Sequence, residues 1–241
     1  MEHSLDYLLG VVGGMGPMAT AAFMEIIIRK TDVTRDQEHM PMLVQHLPFI
    51  PDRTAYLLSD QKGNTNAAES PLPYIIDAAK KLEKDGATEI AIPCVTAHFF
   101  HDEIQKHISI PLLDGVEDTA IYLSGKHIHC AGILATSGTV ETGLFSEAFA
   151  SHGMDCIYPQ KEDQDAVMQL IYEDIKAGRP VDRTRLLTVT SHLMAQGAET
   201  IVLGCTELSL IPINTFDFTP TDVLEVLADC CIDHFRSRKK R

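Results

Sequence analysis

Along this chain, short apolar runs alternate with longer stretches whose apolar positions recur at helical spacing. Two segments open alike: LLGVVGGMGP (8–17) and CAGILATSGT (130–139) each carry a small apolar strand into a glycine-containing turn. Two others close alike: GATEIAIPCVT (86–96) and GAETIVLGCTE (197–207) share Gly-Ala, an isoleucine-bearing strand, then a cysteine and a threonine. Between them lie the helical stretches MATAAFMEIIIRKTD, AAESPLPYIIDAAKKLEKDG, DAVMQLIYEDIKAG and RTRLLTVTSHLMAQG. The helices ahead of the cysteine-bearing strands stop at Gly86 and Gly197, as a left-handed C-terminal cap requires. Strand alternating with helix predicts an α/β protein with mostly parallel sheets covered on both faces, and in such sheets ligands bind beyond the carboxyl ends of the strands. Cys94 and Cys205 stand at those ends.

Gly10 and Gly132 are 122 residues apart, and Cys94 and Cys205 are 111 apart, so each half carries the same opening and closing signals. That is one unit used twice, not a short-period solenoid. The expected architecture is two similar Rossmann-like lobes, 1–110 and 111–215, related by a pseudo-twofold axis with the active site in the cleft between them. A last helix over 220–235 is expected to pack back on the first lobe.

Composition narrows the classes. The chain has 241 residues, 45% hydrophobic and 22% charged, which is ample for a globular core. Its longest apolar runs fall far short of the ~20 residues a bilayer crossing needs. The N-terminus lacks the basic start and long apolar stretch of a signal peptide, so a cytosolic location is expected. A net charge of −14 argues against a nucleic-acid surface. The one basic run, RSRKKR (236–241), reads as a frayed, solvated tail. Six irregularly spaced cysteines without a CxxC pair read as free thiols. No metal is expected, because the eleven histidines show no ligand spacing.

A single buried cysteine after a strand is usually a small hydrophobe. Two at repeat-equivalent sites are another matter. Opposed across a pseudo-twofold axis, Cys94 and Cys205 would approach a ligand from two sides, as inversion of a carbon requires: one removes a proton and the other delivers one to the far face. An ordinary thiol pKa of ~8.5 lets the site tune either protonation state. Thr96 and Thr206 supply hydroxyl donors nearby, and the turns at Gly13–Gly16 and Thr136–Thr139 can bring backbone N–H groups to a carboxylate. Glu207 and His98 are candidate proton-network partners of lower rank. Cys130, Cys156, Cys230 and Cys231 have no such context and are assigned to packing. GGMG lacks the GxGxxG spacing of a dinucleotide site.

Taken in order, GGMGPMAT, IPDRT, PCVTAH, LATSGT and GCTEL resemble the aspartate/glutamate racemase family, most closely its aspartate racemase branch. The resemblance implies an isomerase: an amino-acid racemase without a cofactor, with a cysteine acid/base pair, two similar lobes and commonly a homodimer. By position it makes Cys94 and Cys205 the catalytic pair. It gives Arg53 and Thr54 to a substrate-binding loop, Arg53 holding the side-chain carboxylate, and has Lys176 face the same carboxylate. Thr96, Thr136 and Thr139 fall to the α-carboxylate region. Where the family most often has Asn after the first cysteine, this chain has Val95, which offers a ligand only its backbone.

The expected function is inversion of the α-carbon of a small acidic amino acid, aspartate or glutamate. The alternatives are a racemase or one-thiol lyase acting on another carbonyl compound, such as a hydantoin, and a small-acid binding protein without turnover. Matched thiols are superfluous for binding alone.

Overall fold

The computed structural model describes residues 6–60 and 68–239. Its first half runs β1 (Leu9–Gly13), α1 (Pro17–Lys30), β2 (Met42–His46), α2 (Arg53–Asp60), α3 (Leu72–Lys84), β3 (Glu89–Ala91), a 3-10 turn (Val95–Phe100), α4 (His101–Gln105) and α5 (Gly115–Gly125). The second runs β4 (Cys130–Leu134), α6 (Ser137–Glu141), α7 (Leu144–Ser151), β5 (Asp155–Ile157), α8 (Lys161–Gln169), a π-helical turn (Leu170–Ile175), α9 (Arg183–Ala195), β6 (Thr200–Leu203), β7 (Thr221–Asp222) and α10 (Val223–Lys239). All strand pairs are parallel, in the orders β2-β1-β3 and β5-β4-β6-β7. This is the two-lobed α/β architecture the alternation of elements predicts. None of the described helices is long and apolar enough to cross a membrane.

The repeat is visible in the register. Gly10 pairs with Ile90 and Gly132 with Ile201, so each cysteine lies four residues beyond the isoleucine opposite its glycine. Both glycines are small for the same reason. A Cβ on Gly10 would meet Ala87 at 3.0 Å and Leu82 at 3.2 Å, and one on Gly132 would meet Leu193 at 3.0 Å and Ala198 at 3.2 Å. The helix ahead of each cysteine-bearing strand is thus pressed onto the centre of its sheet. Each of those helices ends in the same Schellman motif: Ala87 N–H donates to Leu82 O and Ala198 N–H to Leu193 O, with Gly86 and Gly197 at φ of +99° and +109°.

α3 covers one face of the first sheet through Ile75, Ala79 and Leu82, while α1 and α10 cover the other through Phe23, Ile27, Leu224 and Ala228. In the second lobe α8 and α9 cover one face, and α5 and α7 the other. The closing helices are therefore exchanged. α5 follows the first sheet but packs on the second, with Val116, Ala120 and Leu123 against Ile133 and Phe149. α10 follows the second sheet but packs on the first.

Some expected boundaries shift. Leu112 still bridges to Ile90 in the first sheet, past residue 110, and β7 extends the second sheet past residue 215. The basic run is helical as far as Lys239, because Arg236 caps Lys30 O and Arg238 lies 3.8 Å from Glu89, a carboxylate 1% exposed. Tyr7 and His234 bond the same carboxylate. Residues 240 and 241 lie outside the described residues.

Close packing at the two glycines has a measurable consequence. Gly10→Ala and Gly132→Ala should each destabilise by ~1–3 kcal/mol through overpacking. Gly125→Ala, a helical position with open space around it, should be neutral or stabilising by up to ~1 kcal/mol. Urea unfolding of the three variants checks this; equal effects would remove the packing argument.

Candidate active site

Strand order carries both thiols to one place. Cys94 follows β3 and opens the 3-10 turn, its N–H bonded to Ile92 O at 2.7 Å. Cys205 follows β6, its carbonyl accepting from Leu208 N–H at 2.9 Å. They are 6% and 4% exposed, and both border one narrow cavity of about 10 Å³ between the lobes. Arg53, Thr54, Val95, Thr96, Thr136, Lys176 and Thr206 border it as well.

The seam between the lobes is held by reciprocal bonds. Thr206 Oγ1 donates to Pro93 O at 3.2 Å, tying the second thiol loop to the first. Thr96 Oγ1 lies 3.1 Å from Thr136 Oγ1 and 3.0 Å from Thr139 Oγ1, a buried hydroxyl cluster spanning the seam. Thr139 stands behind the wall as part of that cluster. α2 and α6 meet where a Cβ on Gly138 would come within 2.9 Å of Thr54 Cα. Gly16 lines a wider adjoining hollow of about 490 Å³, which shares Asp52, Arg53, Lys176 and Glu207 with the cavity.

The charged groups are unevenly placed. Arg53 gives Nη1 to Ile50 O and Pro51 O and Nη2 to Met15 O, which leaves its buried Nε–H without an acceptor among the described residues. Burial works against this cation, but the Cys94 sulfur and the Asp52 and Glu207 carboxylates outweigh it and raise its pKa. Lys176 sits 4.1 Å above the Tyr172 ring and 3.7 Å from Glu207 Oε1. Its burial too is outweighed, chiefly by Glu207, so its pKa is raised. Cys205 donates to Glu207 Oε2 at 3.0 Å, and burial followed by that carboxylate pushes the thiol well above its ordinary range.

Residues 12–222 match the family model described as Asp/Glu/Hydantoin racemase. The chain belongs to this racemase family. It is 31% identical over 213 residues to the broad specificity amino-acid racemase RacX of Bacillus subtilis (strain 168), covering 85% of this chain and 87% of that one. Picrophilus torridus aspartate racemase superposes with a TM-score of 0.78 at 28% identity, covering 98% of this chain and 95% of that one. Glutamate racemase from Francisella tularensis shares the fold, with a TM-score of 0.68 at 15% identity over 98% of this chain and 83% of that one. The chain is accordingly an isomerase of the amino-acid racemase type.

Within this racemase, sequence reasoning missed three wall residues: Met15, Asp52 and Tyr172. Asp52 lies inside IPDRT, where it caps α2 through Ala55 N–H at 2.8 Å and accepts from the Tyr172 hydroxyl at 3.1 Å. Tyr172 precedes Lys176 by four residues, a spacing that puts the two on one helical face. Val95 borders the cavity and belongs to the apolar cluster that holds Val116 and Ala120.

His98 lies outside the cavity, under the first thiol loop. Its Nε2 faces Ile92 O at 3.1 Å, the carbonyl that Cys94 N–H also uses, and its Nδ1 faces Asp114 Oδ1 at 3.2 Å. Asp114 caps α5 by accepting from Val116 and Glu117 N–H. Burial tends to raise this carboxyl, but His98, His101 and the capping N–H outweigh it and hold its pKa down at about 2, from 3.8.

A depressed carboxyl stabilises the fold above its unfolded pKa, and that contribution is lost as pH falls toward the folded value. Between about pH 5 and about pH 3 the wild type should lose roughly 1 kcal/mol more than Asp114→Asn, which keeps a capping oxygen without the charge. Denaturant unfolding at the two pH values measures the difference, and parallel losses would refute the linkage.

Proposed function

We propose that this racemase inverts the α-carbon of a small acidic amino acid, aspartate or glutamate, by proton transfer between two cysteines without a pyridoxal cofactor. The observation that carries the reading is the convergence of two buried thiols, from repeat-equivalent strand ends, on one cavity. One sulfur takes the α-proton. The carbon keeps the electron pair and accepts a proton from the other sulfur on the opposite face.

The α-proton is a weak acid, so donors around the carboxylate must stabilise the developing charge. The Thr96 and Thr136 hydroxyls, backed by Thr139, and the main chain of the thiol loops are assigned that role. Arg53, with its acceptor-free Nε–H, and Lys176 are assigned the substrate's side-chain carboxylate. A second reading, a wider range of side chains, is favoured by the adjoining hollow, whose walls include Ile50, Ile175 and Leu210. The likeness to a broad-specificity racemase points the same way.

Chiral chromatography of an amino-acid panel separates the readings. Aspartate or glutamate turning over best supports the first; apolar residues turning over as fast supports the second. In D₂O, either enantiomer should emerge carrying deuterium at the α-carbon. Cys94→Ser and Cys205→Ser should each lower kcat by ~10²-fold or more. Full activity in either single variant would exclude the paired mechanism.

A further inference from the structure

The repeat is broken where it matters most. Offset by 111 residues, the position two beyond the first thiol is Thr96 and the position two beyond the second is Glu207. One thiol is followed by a hydroxyl that faces other hydroxyls. The other is followed by a carboxylate that accepts its S–H at 3.0 Å. Glu207 is 5% exposed, and among the described residues its second oxygen has no hydrogen-bond partner, only Lys176 at 3.7 Å. The main chain of the first lobe presses onto it, since a Cβ on Gly16 would lie 2.7 Å from Oε1. Beside Cys94 there is a guanidinium instead.

We infer that Glu207 is a positioning residue that holds Cys205 in its protonated form, so that the free racemase is poised for one enantiomer. The inference rests on the paired mechanism proposed above. In the first half-cycle Cys205 is the proton donor, which leaves the base role to Cys94. The α-hydrogen leaves as a proton to the Cys94 sulfur, the carbon takes the Cys205 proton on its other face, and the product departs. The racemase is then left with a Cys94 thiol and a Cys205 thiolate next to Glu207. It returns to the starting form either through solvent, the proton passing from Cys94 to Cys205, or by turning over the opposite enantiomer.

The two enantiomers have equal free energy, so kcat/KM must be the same in both directions. The asymmetry can appear only as different kcat and KM values that compensate. The groups facing Cys205 are Glu207 on its own loop and Lys176 from the helix that carries Tyr172, with opposite effects on the thiol. Burial is the largest influence that raises it and Glu207 the next, while Lys176 lowers it.

Opposite effects give the test its sign. Glu207→Gln keeps an acceptor for the thiol and removes the charge, whereas Lys176→Met removes the cation. Thiolate absorbance is titrated in wild type and both variants, and peptide mapping after iodoacetamide treatment assigns each change to its cysteine. In Glu207→Gln the Cys205 titration should move down by about one pH unit or more, and the two kcat values should converge. In Lys176→Met, Cys205 should move up. An unmoved Cys205 titration in Glu207→Gln, or movement in the same direction in both variants, overturns the assignment. If Cys205→Ser is fully active, the paired mechanism fails instead, and the titration still decides whether Glu207 controls the thiol.

Discussion

The site depends on a single constraint: the ends of two parallel sheets are buried, and part of the hydrogen bonding of their main chain and hydroxyls is completed by the opposite lobe. Pro93 O accepts from Thr206, and Thr96 bonds Thr136 and Thr139. A buried polar group left unpaired costs ~1–3 kcal/mol. Parting the lobes exposes these groups to water, and joining them restores the bonds. The same bonds fix where the two sulfurs stand relative to each other, so the stability of the seam and the geometry of the chemistry have one cause.

The exchanged helices reinforce it. α5 closes the face of the second sheet and α10 closes the face of the first, each leaving the sheet it follows in sequence. Either half alone would expose an apolar face that its own chain segment does not cover. The hinge is correspondingly short. Leu112 is still bridged to the first sheet, Asp114 caps α5, and by Val116 the chain is in the core of the second lobe. His98 connects that crossing point to the Ile92 carbonyl beneath Cys94, so the hinge and the first thiol loop share a hydrogen-bond chain.

Much of this was legible in the sequence because it is written in local signals. The glycines at 10 and 132, the Schellman glycines at 86 and 197, and the cysteines four residues past their strand partners all repeat with the fold. What was hidden depends on context. Helix α3 starts only at Leu72, set by Pro71 and Pro73, although the apolar pattern begins earlier. β7 is a two-residue strand, too short for any alternation to register. The π-helical turn over Leu170–Ile175, which carries Tyr172 and runs up to Lys176 at the cavity wall, leaves no mark on the apolar pattern of the sequence. The anchoring of Arg53 by three main-chain carbonyls is likewise absent from the sequence, since only the folded loop around Ile50 brings them to it. The basic tail reads as solvated until Glu89, buried 149 residues away in sequence, supplies its partner.

A duplicated scaffold supplies two matched thiols, but a racemisation site cannot stay symmetric, because its substrate is not. A carboxylate, an ammonium and a side chain leave one carbon in different directions, so the walls that receive them must differ even where the proposed mechanism asks the two sulfurs to act alike. The chain meets this by varying charge and keeping backbone: the strand ends, caps and helix packing repeat, whereas Arg53 stands by one sulfur and Glu207 with Lys176 by the other. Such charges sit in a cavity with little solvent, where each acts more strongly than it would at the surface. A thiol made harder to ionise is also a stronger base once it has lost its proton. On the paired mechanism proposed above, what the carboxylate takes from Cys205 as an acid it returns in the reverse direction as basicity, as the equal energies of mirror-image substrates demand.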